Sequence, residues 1–176
     1  MEWPLFTGLG PVGALPTAAR LARTFGTTIV ANWDLSCLAD DCELVIGELV
    51  ANVVQAATAS DGMPWYDEHG RLPLLWVRLL SDGIRLRVEV WDNLPAALGV
   101  PYQRRPTVNE ESGRGLAIVR EISLDWGWDP MPGRGAKRVW ALLGKRAPTS
   151  QPERLDRVGD QSFRHVDGAS EVLRAG

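Results

Sequence analysis

The chain is expected to be an α+β protein: a two-layer α/β sandwich with helices on one face of a mixed, mostly antiparallel sheet. Three observations predict this. Two long segments with helical apolar spacing come first. Two segments with period-two alternation follow, joined by a hairpin signal. After a long proline-containing stretch, one more helical segment and one more strand pair close the fold. Strands and helices that do not alternate regularly favour α+β over a doubly wound sheet.

The elements justify themselves in order. Residues 1–13 hold three glycines and two prolines and read as an irregular N-terminal arm. The segment from Thr17 to Ala31 reads as a helix, with Pro16 tolerable near its start and Leu21, Phe25 and Ile29 at helical spacing. Leu38 to Thr58 is the strongest helix. Asp40 and Asp41 suit its positive end, and Cys42, Val45, Ile46, Leu49 and Val53 form its apolar stripe. Residues 60–70 form a polar loop. Leu72–Leu80 and Ile84–Trp91 read as strands joined by Ser81-Asp82-Gly83. In the second, Ile84, Leu86, Val88 and Val90 face one way and Arg85, Arg87 and Glu89 the other.

Asn93 to Ser112 carries Pro95, Pro101 and Pro106 and little periodicity, as in a long functional or mobile loop. Gly115 to Leu124 reads as a helix with Leu116, Ile118, Val119 and Ile122 apolar. Trp126–Trp128 and Val139–Leu143 read as a final hairpin around residues 132–135. The expected layout is an arm over 1–13, one domain over 14–146, and a polar, mobile tail over 147–176.

Composition narrows the function classes. Hydrophobic residues make up 45% and charged residues 23%, as in ordinary globular proteins. The net charge of −3 supplies no global attraction for nucleic acid, and no basic recognition helix is visible. Cys37 and Cys42 are too few for a disulfide framework and wrongly spaced for zinc, so both read as buried thiols in a reducing cytoplasm. No stretch reaches transmembrane length and no basic-then-apolar signal opens the chain, which points to the cytosol and away from membranes. Eight tryptophans are present, with core packing their default role.

Three short constellations carry chemistry. Glu48 and Asn52 lie four apart in the second helix and project from one face, continued by Gln55. A carboxylate beside an amide oxygen suits Mg²⁺ held jointly with substrate phosphates, and the carboxylate could take a proton from an attacking hydroxyl. A plain solvated helix face reads the same way. Asp92 follows the strand Ile84–Trp91 and could accept a hydrogen bond from an adenine amino group, or simply start a turn. Gly113-Arg114-Gly115 opens a helix whose free N–H groups suit phosphate oxygens.

Taken together and in this order, these segments resemble the N, G1 and G2 boxes of GHKL ATP-binding domains. Glu48-Leu49-Val50-Ala51-Asn52, a strand ending in Asp92, and Gly113-Arg114-Gly115-Leu116-Ala117-Ile118-Val119 carry the resemblance, with Trp126-Gly127 and Gly135-Ala136-Lys137-Arg138-Val139-Trp140 at its end. The chain resembles the small actinobacterial anti-sigma-factor serine/threonine kinase-like regulatory proteins, over roughly residues 17–143. The resemblance implies ATP and Mg²⁺ as cofactors. It implies Glu48 as catalytic base and Asn52 as Mg²⁺ holder. It gives Asp92 the adenine and Gly113, Arg114 and Gly115 the phosphates. It makes residues 93–112 an ATP lid and implies a sigma factor or an anti-anti-sigma (STAS-type) protein as partner, compatible with a homodimer. Arg104, Arg105 and Arg114 are further candidates for phosphate charge.

The sequence departs from the family at three points. Ala56 replaces a frequent histidine, Asn93-Leu94-Pro95 replaces the G1 glycines, and Arg138 replaces a frequent threonine. By the resemblance, the missing threonine could remove a hydroxyl near the aspartate expected to read adenine. Two readings therefore stay open: an ATP-dependent protein serine/threonine kinase, and a degenerate GHKL scaffold that binds a regulatory partner without kinase activity.

Overall fold

The computed structural model describes residues 2–95, 114–131 and 136–145. In chain order they form β1 (Leu5–Gly13), α1 (Thr17–Asn32), a short turn of 3-10 helix (Ser36–Leu38), α2 (Ala39–Ala56), β2 (Leu74–Ser81), β3 (Leu86–Asp92), α3 (Arg114–Ile122), β4 (Asp125–Met131) and β5 (Ala136–Leu143). The strands make one five-stranded sheet in the order β1-β2-β3-β5-β4. Every pairing between these strands is antiparallel, so the sheet is not mixed.

The α+β fold class is as the sequence predicts, and strand alternation explains its layers. Leu75, Val77 and Leu79 of β2, Leu86, Val88 and Val90 of β3, and Val139, Ala141 and Leu143 of β5 are buried on one face. They form one core with Ala22 and Val30 of α1, Val45, Ile46 and Val50 of α2, and Val119 of α3. Period two in the strands meets period 3.6 in the helices, which is what a two-layer core requires. Gly26 sets the approach of α1 to α2, because a Cβ there would collide with Ile46 Cδ1 and lie 3.2 Å from Cys42 Sγ.

Three expectations change. The supposed irregular arm is largely strand β1, paired with β2 from Leu5↔Ser81 to Gly13↔Leu74 around a bulge between Leu9 and Val12. Cys42 is buried, but Cys37 lies in the 3-10 turn and is exposed. Burial, with the charge of Glu43 adding to it, pushes the Cys42 thiol up to about 12. Trp76, Trp91 and Trp140 do not enter the core. Their strand positions put them on the sheet face away from the helices, whereas Trp126 packs against the core. Residues 96–112 of the expected lid, and the tail, lie outside the described residues. No helix among the described residues is long and apolar enough to cross a membrane.

Candidate functional site

The first part of the site is the meeting of α2 with α3. The apolar stripe of α2 turns Val45, Ile46, Leu49 and Val53 into the core, leaving Glu48 and Asn52 half-buried one turn apart on another side. The first turn of α3 comes against that pair at Gly115, which is buried. A Cβ at Gly115 would sit 2.5 Å from Glu48 Oε2 and 3.6 Å from Asn52 Oδ1. Glycine is therefore what lets the carboxylate and the amide oxygen stand beside the α3 N-terminus. α3 as described begins at Arg114, so the positive end of its dipole lies toward this pair. Asn52 Nδ2 is buried with no hydrogen-bond partner among the described residues. Arg114 is exposed at the start of α3. Gly113, Arg104 and Arg105 lie outside the described residues.

The second part is Asp92, the last residue of β3. It shares its parity with Leu86, Val88 and Val90, so it points to the helix-covered face, the face on which α2 packs against β3. It is fully buried. Its Oδ1 accepts two hydrogen bonds, from Lys137 Nζ at 2.8 Å and from the Leu94 backbone N–H at 3.1 Å. Its Oδ2 is buried and has no partner among the described residues. Burial raises the carboxyl above its ordinary range, against the opposing pull of the Lys137 ammonium and the two hydrogen bonds. Asn93 closes the turn, its Oδ1 accepting from the Leu74 N–H at 2.7 Å.

The structure thus places Glu48, Asn52 and Gly115 together, and Asp92 on the same side of the sheet. Lys137 is the residue that sequence reasoning missed. It lies opposite Asp92 in the β3–β5 register, a relation invisible until the two strands are paired. The signal that could have found it is a lone buried-parity lysine in a strand of alternating apolar residues, at odds with Val139, Ala141 and Leu143.

The donor set fits an adenine nucleotide. Asp92 Oδ2 and Asn52 Nδ2 are buried polar atoms without a hydrogen-bond partner among the described residues, and the missing Cβ at Gly115 leaves space beside Glu48 and Asn52. Among the described residues no group of three or more His, Cys, Asp or Glu side chains could hold a metal by itself. An Mg²⁺ here would accordingly be held by Asn52, water and nucleotide phosphates. No protein-family model matches the chain, and no curated protein matches it.

Proposed function

We propose that this chain is an ATP-binding regulatory protein of the GHKL type, similar to cytosolic anti-sigma-factor serine/threonine kinases, controlling transcription through a sigma factor or STAS-type partner. The Oδ2 of Asp92, buried without a partner among the described residues, carries the reading. A buried acceptor left without a donor costs about 1–3 kcal/mol, and native proteins rarely leave one unanswered. An exocyclic adenine amino group offers the matching donor. Lys137 and Leu94 hold the other oxygen, so the carboxylate is oriented before the base arrives.

Asn52, through its amide oxygen, and the first turn of α3 would hold the Mg²⁺ and the phosphates. ATP supplies the transferable γ-phosphoryl group. Glu48 stands beside the α3 N-terminus with its carboxylate available to accept the proton of an acceptor hydroxyl. The missing Cβ at Gly115 leaves the room in which that carboxylate stands.

A scaffold without transfer is the second reading, favoured by the Lys137–Asp92 pair, which gives Asp92 a structural role even without nucleotide. One experiment separates them. ATP binding, partner binding and phosphate transfer are measured for the wild type, Glu48→Gln and Asn52→Ala. The kinase reading expects Glu48→Gln to bind Mg-ATP but transfer phosphate about a hundredfold more slowly, and Asn52→Ala to lose metal-dependent binding. A wild type that binds its partner but transfers nothing defeats the kinase reading. A wild type that binds no ATP defeats the nucleotide site altogether.

A further inference from the structure

The sheet face opposite the helices carries a second constructed surface, separate from the nucleotide site. Arg78, Arg87, Glu89, Trp91, Arg138 and Trp140 all have the parity of this face, and no described element covers it. Glu89 is nevertheless only 3% exposed. Three guanidiniums bury it: Arg87 at 2.9 Å, Arg138 at 3.2 Å and Arg78 at 3.8 Å. Trp91 Nε1 donates to its second oxygen at 3.2 Å. The guanidiniums also lie over indole rings, Arg87 over Trp140 at 4.1 Å and Arg138 over Trp91 at 5.3 Å. Arg138 is further tied to Asp129 at 2.6 Å. Three cations thus face two carboxylates. The surplus charge falls to Arg78, whose 3.8 Å approach to Glu89 is longer than a hydrogen bond and whose side chain is 44% exposed.

Beside Arg78 is a hollow of about 710 Å³ lined by Gly8, Gly10, Trp76, Trp91 and Met131, with Asn93 at its margin. Its β1 wall is bare because Gly8 and Gly10 bring no side chains. At Gly10 the bareness is enforced: φ is +131° and a Cβ would lie 2.8 Å from Trp76 Cδ1. Flat apolar walls, a guanidinium with unspent donors and a side-chain amide define the ligand chemistry as an aromatic ring beside a carboxylate.

We propose that this hollow is a docking site for an acidic segment of a protein partner that presents an aromatic side chain flanked by carboxylates. Tryptophan and arginine are the residues most often found at the energetic centres of protein interfaces. Single-stranded nucleic acid also stacks on such residues, but it needs several phosphate contacts, and one surplus cation on a chain of net charge −3 does not supply them. A symmetric second copy of this chain laid face to face would bring the same cationic patch against itself.

The test uses the full chain, labelled with ¹⁵N at tryptophan. The probe is a blocked peptide of sequence Asp-Glu-Phe-Glu-Asp; its controls replace Phe by Ala or the acids by Lys, and a thymidine oligonucleotide is the nucleic-acid arm. The expected result is a saturable shift of the Trp76 and Trp91 indole N–H signals, with binding weakened about tenfold when Phe becomes Ala and abolished by Lys. Arg78→Gln is expected to weaken it about tenfold, and Met131→Trp to block it without a change of charge. Arg20→Gln, on the exposed side of α1, is expected to leave it unchanged. No indole shift at millimolar peptide, equal loss with Arg20→Gln, tighter binding of the oligonucleotide, or sedimentation showing this face closed in a dimer would each overturn the proposal. ATP titration of Arg78→Gln, expected to match the wild type, reports on the nucleotide site independently.

Discussion

Gly115→Ala tests the site with the smallest available change, one methyl group. The ideal Cβ would lie 2.5 Å from Glu48 Oε2, so that oxygen must retreat by roughly 0.9 Å to reach the 3.4 Å of ordinary contact. Asn52 Oδ1, at 3.6 Å, is already at contact distance and need not move. The atom displaced is the far end of a flexible, half-buried side chain, so the fold should tolerate it. Gly115 does not have a left-handed φ, and alanine is the better helix former by up to about 1 kcal/mol. Stability should therefore stay within about 1 kcal/mol of wild type.

Under the kinase reading, phosphoryl transfer should respond differently. A displacement near 1 Å of a group that must meet a reacting proton can cost about a hundredfold in rate. The expected outcome is Mg-ATP affinity within a few fold of wild type, a near-unchanged urea midpoint, and phosphoryl transfer reduced by about two orders of magnitude. Calorimetric titration, urea denaturation and ADP formation, with water or the partner as acceptor, read the three quantities. Wild-type turnover in a stably folded Gly115→Ala would refute the role given to Glu48. A stability loss above about 2 kcal/mol would refute the premise that the carboxylate can yield.

Gly26→Ala should behave in the opposite way, because its Cβ meets the buried Ile46 Cδ1 and Cys42 Sγ rather than a movable chain end. Overpacking should outweigh the helix gain and leave a loss of about 1–2 kcal/mol. Ile46→Val, which deletes the colliding methyl, should recover at least about 0.5 kcal/mol of it in a double-mutant cycle; additive losses by urea denaturation would refute the close packing of α1 on α2. The raised carboxyl of Asp92 sets a pH dependence. Its folded state holds a proton more firmly than its unfolded state, so its contribution is fully present below the ordinary 3.8 and lost as pH rises through the higher folded value. Wild-type stability should accordingly fall relative to Asp92→Asn as pH is raised from 3.8 toward neutral in parallel denaturation series, and parallel profiles would remove burial as the dominant influence on this carboxyl.

The helices and central strands were legible because their burial is periodic. The stripe from Cys42 to Val53 and the alternation of Leu86, Val88 and Val90 state their partners' side directly. β1 was not legible because Gly8, Gly10 and Pro11 lack strand propensity. It is a strand through its pairing with β2, and Gly10 is required there by the proximity of Trp76. Pro130 hid the length of β4, which tolerates proline as an edge strand with its only neighbour in β5. Glu89 was readable as facing away from the core, but not as buried. That follows from Arg78 and Arg138 closing over it from the two neighbouring strands beside Arg87 of its own strand, a relation only the register supplies. For the same reason Glu48 and Asn52 could be paired from sequence, being one turn apart, while Lys137 could not be paired with Asp92 across 45 residues.

The register of β3 against β5 also decides how the two surfaces relate. Trp91 and Asp92 are consecutive, as are Lys137 and Arg138, and each pair sends its members to opposite faces. Asp92 and Lys137 meet on the helix side at 2.8 Å, while Arg138 lies over the Trp91 ring on the other side. A slip of one residue would place Asp92 among the guanidiniums and Trp91 in the core, so both surfaces depend on the same pairing. They remain separable to substitution, since Arg78 and Met131 reach only the open face and Asn52 and Gly115 only the helix side. A change in Arg78 that altered ATP affinity would therefore have to act through the sheet itself, because no side chain of the proposed nucleotide site touches Arg78 among the contacts described.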